Sequence, residues 1–328
     1  MKTFSNILLA LLPSFLHVNI RRLGGHKIGK GAKLRFGSLI VSNTIEIGAN
    51  TRIGPFTYIK ARYLKIGENT VIKPLAMIKT LKVNISDYVH IAPASVISSE
   101  FTENAGITIG DHSRIFPYCW LDAGEGITIG KHVGIGGHTL MFTHGVWSNF
   151  VDGGPVNFGP IKIEDNVWLP WRVFILPNVV IGENAIIGAN SLINKSIEAN
   201  TLAGGSPAKE IKKIDFDNTK KKERFEKILT EYASYLKFKD GTESQMEDGM
   251  LVFNKSRILI DRPDEASGKD LLILINIPVD KLDPSLKGKI SILDYNRLSI
   301  FLNGNKAAEI KQFISFLRRY GVRLYINK

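Results

Sequence analysis

The chain has 328 residues, 44% of them hydrophobic, and a formal net charge of +12. That length and apolar share fit two folded domains and exclude a disordered or fibrous protein. The single cysteine, Cys119, excludes an internal disulfide framework and favours a reducing compartment, and a lone Cys between Tyr118 and Trp120 reads as a small core residue.

The charge is uneven along the chain. Residues 1 to 82 carry fourteen Lys and Arg against Glu46 and Glu68, whereas residues 83 to 213 carry eight basic and twelve acidic side chains. A basic end suggests attraction to anionic lipid headgroups or an anionic polymer. No nucleic-acid-binding motif accompanies it, so nucleic acid is not an expected partner.

Within residues 1–22, Phe4, Ile7, Leu8, Leu11, Leu12, Phe15 and Leu16 keep the spacing of an amphipathic helix, with Arg21 and Arg22 beyond. Pro13 is expected to kink or end its first turns. The segment is too short to span a bilayer and lacks a small-residue cleavage site, so a cytoplasmic location is expected. Two readings stand: a helix lying on a membrane, as a peripheral contact, or a plug over the open first coil of the repeat region that begins at Ile28.

From Ile28 to Ile193 an apolar residue recurs every sixth position in eight triplets, beginning Ile28, Leu34, Ile40 and Ile47, Ile53, Ile59 and ending Ile181, Ile187, Ile193. Many are followed by glycine. A helical period of 3.6 cannot give this pattern, whereas a parallel β-helix does, each hexad being a short strand plus a turn and three hexads one triangular coil. The spacing breaks most severely between Met141 and Ile163, where sixteen residues beyond the next expected hexad form an excursion that includes His144, Trp147 and Asp152 and returns to Asn166-Val167-Trp168. Long excursions from a rigid scaffold are where function concentrates. The hexads close on Ile187-Gly188-Ala189-Asn190-Ser191 and on Ala203-Gly204-Gly205-Ser206-Pro207-Ala208-Lys209.

Seven histidines invite a metal hypothesis, and His132, His138 and His144 are spaced six apart. Successive hexads lie on different faces of a prism, so these side chains diverge. His112 and His132 instead fall in a column of turn residues with Asn50, Asn69, Tyr88, Asn166 and Asn184. No metal site is expected.

The hexads and the closing signature resemble the left-handed β-helix acyltransferases, specifically sugar and polysaccharide O-acetyltransferases of the maltose and galactoside acetyltransferase type, over roughly residues 20 to 213. The resemblance implies acetyl-CoA as acyl donor, a homotrimer with active sites between subunits, and a carbohydrate acceptor. That family places its catalytic histidine at the start of such an excursion, which His144 matches; His138, at another turn position, is the weaker candidate base. Asp122 matches an acidic position near the acceptor. Coenzyme contacts carried over by motif fall on Trp171, Ala189, Asn194, Lys195, Lys209 and Lys212. The chain departs from the family at Leu169-Pro170-Trp171, where a small residue is usual, so an indole would flank the pantetheine channel. The γ-class carbonic anhydrases share this fold, but their three-histidine spacing is not found here.

Beyond the hexads, a helical connector is expected over 214–249, with Phe225, Ile228, Leu229, Tyr232 and Leu236 on one face, read as an interface stripe. Residues 250–328 read as a small α/β appendage, with β-like runs at Arg257 to Asp261, Leu271 to Ile277, Lys289 to Leu293 and Leu298 to Leu302, then a helix near Asn305 to Tyr320 and a last strand to Ile326. The expected fold is therefore all-β: a left-handed parallel β-helix over 23–213 with a helical N-terminus and this appendage. The expected activity is O-acetylation of a sugar hydroxyl in a surface polysaccharide or its lipid-linked precursor. The alternatives are N-acetylation of an amino sugar, and a non-catalytic scaffold whose appendage binds a partner.

Overall fold

A computed structural model describes residues 2–99, 102–145, 148–253, 256–267, 270–286, 289–303 and 307–327. Val146, Trp147, Asn305 and the side chain of Phe4 lie outside that description. The chain divides into two compact units, residues 1–215 and 216–328.

The first unit is the left-handed parallel β-helix that the hexads require. Each hexad residue pairs with its counterpart one coil on: Ile28 with Ile47 on the first face, Leu34 with Ile53 on the second, Ile40 with Ile59 on the third. The excursion does not disturb this register, because Ile129 pairs directly with Ile163 and Met141 with Ile175. All 24 residues of the eight triplets are buried, giving one continuous apolar column. Period-2 alternation adds a second inward residue on the first face, as in Ile45 with Ile47 and Leu64 with Ile66. Early coils carry one extra residue between the third and first faces, and there the strands Leu39–Ile47 and Tyr58–Ile66 run unbroken around the corner.

The corners explain the turn column. Asn50, Asn69, Tyr88, His112, His132, Asn166 and Asn184 all adopt left-handed backbone, with φ between 53° and 60°. The rings of Tyr88, His112 and His132 stack at centroid separations of 4.7 and 5.1 Å. His138 occupies the next corner at φ 58°. Buried hydroxyls satisfy carbonyls inside the corners, as where Thr51 Oγ1 donates to the Gly67 carbonyl at 2.6 Å. Cys119 is fully buried, donates to the Gly136 carbonyl at 3.2 Å, and has its thiol pushed up to about 11 by burial.

The N-terminal segment is two helices, α1 (Lys2–Ala10) and α2 (Ser14–Leu23), separated at Pro13. The inner face of α2 covers the open first coil. Its His17, Val18 and Arg21 are buried, Arg21 donates to the Ile40 carbonyl at 2.7 Å, and the Leu34 N–H donates to Ser14 Oγ at 3.0 Å. These bonds meet backbone groups that a solenoid end would otherwise leave bare. Among the described residues no helix is long and apolar enough to cross a membrane.

The second unit is a seven-stranded mixed sheet with helices α3 (Lys221–Asp240) and α4 (Ala307–Leu317). The α3 stripe does not form the expected interface with a neighbouring subunit. Instead Phe225, Ile228, Leu229, Tyr232 and Leu236 are buried with Leu251, Phe253, Ile258 and Phe313 in this unit's own core. The sheet also opens with a hairpin, Ser244–Glu247 and Met250–Phe253, that the strand reading did not include.

Candidate functional site

The site forms where the sixth coil leaves the prism. The strand Leu140–Phe142 closes the third face and pairs with Trp120–Asp122 of the coil below, Asp122 opposite Phe142. Thr143, fully buried, carries the chain outward, and His144–Gly145 then pairs antiparallel with Asn157–Phe158 as the base of the excursion. Two bonds hold the returning arm: Gly159 N–H to the Thr143 carbonyl at 3.0 Å, and Asn178 Nδ2 to the Phe158 carbonyl at 2.9 Å. A Cβ at Gly159 would stand 1.8 Å from Asn178 Oδ1, so a larger residue there would displace the Asn178 amide from this bond.

This path brings His144 Nδ1 to 3.2 Å from Asp122 Oδ2. The carboxylate is 14% exposed and the imidazole 44%, so the pair presents its ring outward and keeps its acid inside. Asp122 is itself fixed, its Oδ1 accepting from the Gly124 N–H at 3.1 Å and from Thr143 Oγ1 at 3.3 Å. Thr143 Oγ1 in turn accepts from the Glu125 N–H at 3.0 Å. A carboxylate on Nδ1 assigns the Nδ1–H tautomer, which leaves the Nε2 lone pair free to take a proton. Sequence reasoning missed Thr143 and Asn178: a Thr before a His carries no distinguishing pattern, and Asn178, in left-handed conformation at φ 63°, reads as one more corner residue.

Aromatic rings line the third face beside the pair. Phe142 lies 6.4 Å from His144 between ring centroids, 6.4 Å from Trp120 and 5.6 Å from Phe174. Trp120 is exposed, its Nε1 donating to Ser98 Oγ at 3.2 Å.

The residues assigned to coenzyme fall on other parts of the late coils. Trp171 and Ala189 sit one coil apart at the corner between the second and third faces, where the Asn190 N–H donates to the Trp171 carbonyl at 3.1 Å. The Trp171 indole, half exposed, lies over Gly137, whose missing Cβ would come within 2.4 Å of the ring. Asn194 and Lys195 follow the last strand of the third face. Lys209 and Lys212 lie on the terminal strand Ala208–Lys213, paired antiparallel with Thr201–Gly205 at the end of the second face. Those last four side chains are exposed. The structure thus joins His144 to Asp122 but does not bring the six coenzyme candidates together with them in one chain. His132 and His138 are corner residues, and among the described residues no group of three His, Cys, Asp or Glu is placed to hold a metal.

Parts of the chain are similar to known proteins. The profile of the bacterial transferase hexapeptide (six repeats) matches residues 160–195. A protein of Schizosaccharomyces pombe designated a candidate acetyltransferase is 46% identical over 92 residues, covering 27% of this chain and 44% of that one. The galactoside O-acetyltransferase of Escherichia coli is 30% identical over 120 residues, covering 36% of this chain and 54% of that one. The chain therefore spans about half the length of these relatives. Among solved structures, the hexapeptide-repeat acetyltransferase VCA0836 of Vibrio cholerae complexed with acetyl coenzyme A is 33% identical, covering 37% of this chain and 66% of that one at a TM-score of 0.33.

Proposed function

We propose, for a chain whose residues 160–195 match the bacterial transferase hexapeptide profile, an acetyl-CoA-dependent O-acetyltransferase acting on a sugar hydroxyl of a surface polysaccharide or of its lipid-linked precursor. The observation that carries the reading is the 3.2 Å pairing of His144 Nδ1 with the fixed, mostly buried Asp122 carboxylate at the foot of the excursion.

A sugar hydroxyl is a poor nucleophile at neutral pH and needs its proton removed as it attacks. Acetyl-CoA supplies the acetyl group as a thioester. His144 takes the hydroxyl proton on Nε2 while the oxygen closes on the thioester carbonyl, then returns it to the departing thiolate. Asp122 holds the ring and balances the charge it acquires. The exposed lysines Lys195, Lys209 and Lys212 suit the nucleotide phosphates as mobile cations. Because Trp171 and Ala189 lie across the third face from His144, a homotrimer in which one chain's His144 meets a neighbour's donor edge accommodates both groups in one site. The acceptor is a carbohydrate, which the galactoside specificity named for the E. coli relative supports. The same geometry serves an amino-sugar nitrogen, and an acceptor screen separates the two.

The test is calorimetric titration with acetyl-CoA alongside transfer assays. Wild type and His144→Ala are expected to bind equally, Lys195→Ala more weakly, and His144→Ala to lose at least about a hundredfold in transfer. Near wild-type turnover in His144→Ala would sink the assignment of the base. Absence of acetyl-CoA binding would mean that the Trp171 indole closes the donor groove and that the chain is a scaffold.

A further inference from the structure

The sequence left open whether the N-terminal segment plugs the β-helix or lies on a membrane, and α2 has a face for each. Its inner face, His17, Val18 and Arg21, closes the first coil. On the opposite side of the same helix Phe15 is 66% exposed and Leu23 88%, with Leu16 and Ile20 also in solvent. Leu16, Ile20 and Leu23 follow i, i+4, i+7 spacing, so they form one row. Leu8 and Leu11, at the end of α1 and just beyond it, are exposed as well. Neighbouring exposed apolar side chains bordered by polar ones mark contact surfaces rather than solitary surface residues.

Charge says what kind. The N–H of Leu34 bonds Ser14 at the start of α2, so the helix begins beside the strand Lys33–Leu34. On that outer face Lys33 lies opposite Arg52 one coil on. Lys33, Arg35, Arg52 and Lys73 are all exposed. The fourteen-to-two basic excess of residues 1–82 is thus gathered at the end of the prism that carries the apolar row. An apolar helical face flanked by cations matches a surface that is apolar within and anionic outside, which is a bilayer bearing acidic headgroups.

We propose that the outer face of α2 and the adjoining Lys33 and Arg52 form a docking surface for an anionic lipid membrane. Docking uses no residue of the transfer site, so it stands or falls apart from the proposed activity. With about 4.8 Å between successive coils, the sixth coil and His144 would stand roughly 25 Å from the first coil, within reach of a saccharide extending from a lipid anchor.

The test is co-sedimentation of the full chain with vesicles of phosphatidylcholine, alone or with one third phosphatidylglycerol. Two paired variants accompany wild type: Phe15→Ser with Leu23→Ser, and Lys33→Gln with Arg52→Gln. Wild type is expected to bind the anionic vesicles at least about tenfold more tightly than the neutral ones, and less at high salt. Each paired variant is expected to lose at least about tenfold while melting at the wild-type temperature. No binding to anionic vesicles, or equal binding by all three proteins, would overturn the proposal. A loss of oligomeric mass by light scattering in the Phe15 and Leu23 variant would also overturn it, since the face would then be buried between copies of the chain.

Discussion

Asp122 and His144 are far apart in sequence and meet only because the third-face strands stack one coil apart, which sets Asp122 opposite Phe142 and two residues before the histidine. The carboxylate does two things that an amide cannot do together: it fixes the Nδ1–H tautomer and it carries the charge that stabilises the imidazolium. Asp122→Asn keeps the size and the acceptor oxygen but removes the charge. Transfer is expected to fall by about a hundredfold or more, with acetyl-CoA affinity in calorimetry unchanged, because Asp122 is not among the residues proposed to hold the donor. If the variant turned over at the wild-type rate, Asp122 would be no more than a turn residue tied to Gly124 and Thr143. The histidine and the aspartate could each be picked out in the sequence through the family resemblance, as positions matching that family's catalytic histidine and an acidic residue near its acceptor. Their approach could not, because it depends on Thr143 being drawn fully inside and tied to Asp122.

At the scale of elements, the α2 plug makes a prediction of its own. His17 Nε2 accepts from Arg21 Nε at 3.2 Å, so the buried ring must be neutral. Burial, with the Arg21 charge second, lowers its pKa from 6.5 to about 4. His90 is likewise lowered to about 4, by burial first and then by Arg114 and Lys73. Each folded pKa lies below the unfolded value, so the unfolded chain binds the proton first. Stability is therefore complete above about pH 6.5 and is lost as pH falls toward 4, by an amount on the order of 2 kcal/mol for the fully buried His17 and less for the partly exposed His90, where solvent screens the charge. His17→Gln keeps an acceptor for Arg21 but does not titrate, so its thermal midpoint should fall less than wild type's between pH 7 and 4.5; parallel slopes would show that His17 is not linked. The hexads were legible because a six-residue period has one physical solution. The plug was half legible, since an amphipathic stripe reveals its apolar face but not what covers it. The same limit misdirected the α3 stripe toward a neighbour, when it packs on its own sheet. The hairpin beside it did carry a signal, Asp248-Gly249, both with positive φ, between Glu247 and Met250.

At the scale of the molecule, the chain holds separate cores. The β-helix column and the core under α3 and α4 share no residue, and the boundary falls at Asp215. All four tryptophans, Trp120, Trp147, Trp168 and Trp171, belong to the first unit by sequence, whereas α3 and α4, the longest helices described, belong to the second. Tryptophan fluorescence therefore follows the β-helix, while the helical signal in circular dichroism is weighted toward the second unit. Phe313 is fully buried against Tyr232, with ring centroids 4.9 Å apart. Truncating it to alanine removes a large aromatic from a packed core, which costs about 3–5 kcal/mol. Phe313→Ala is expected to lower the denaturant midpoint of the helical signal while the tryptophan midpoint stays at its wild-type value. Since His144, Asp122 and the lysines of the late coils all lie in the first unit, acetyl-CoA binding should survive the substitution at temperatures where that unit is folded. A joint shift of both midpoints would mean that the two cores unfold as one, and the appendage would then be a stabilising part of the first unit.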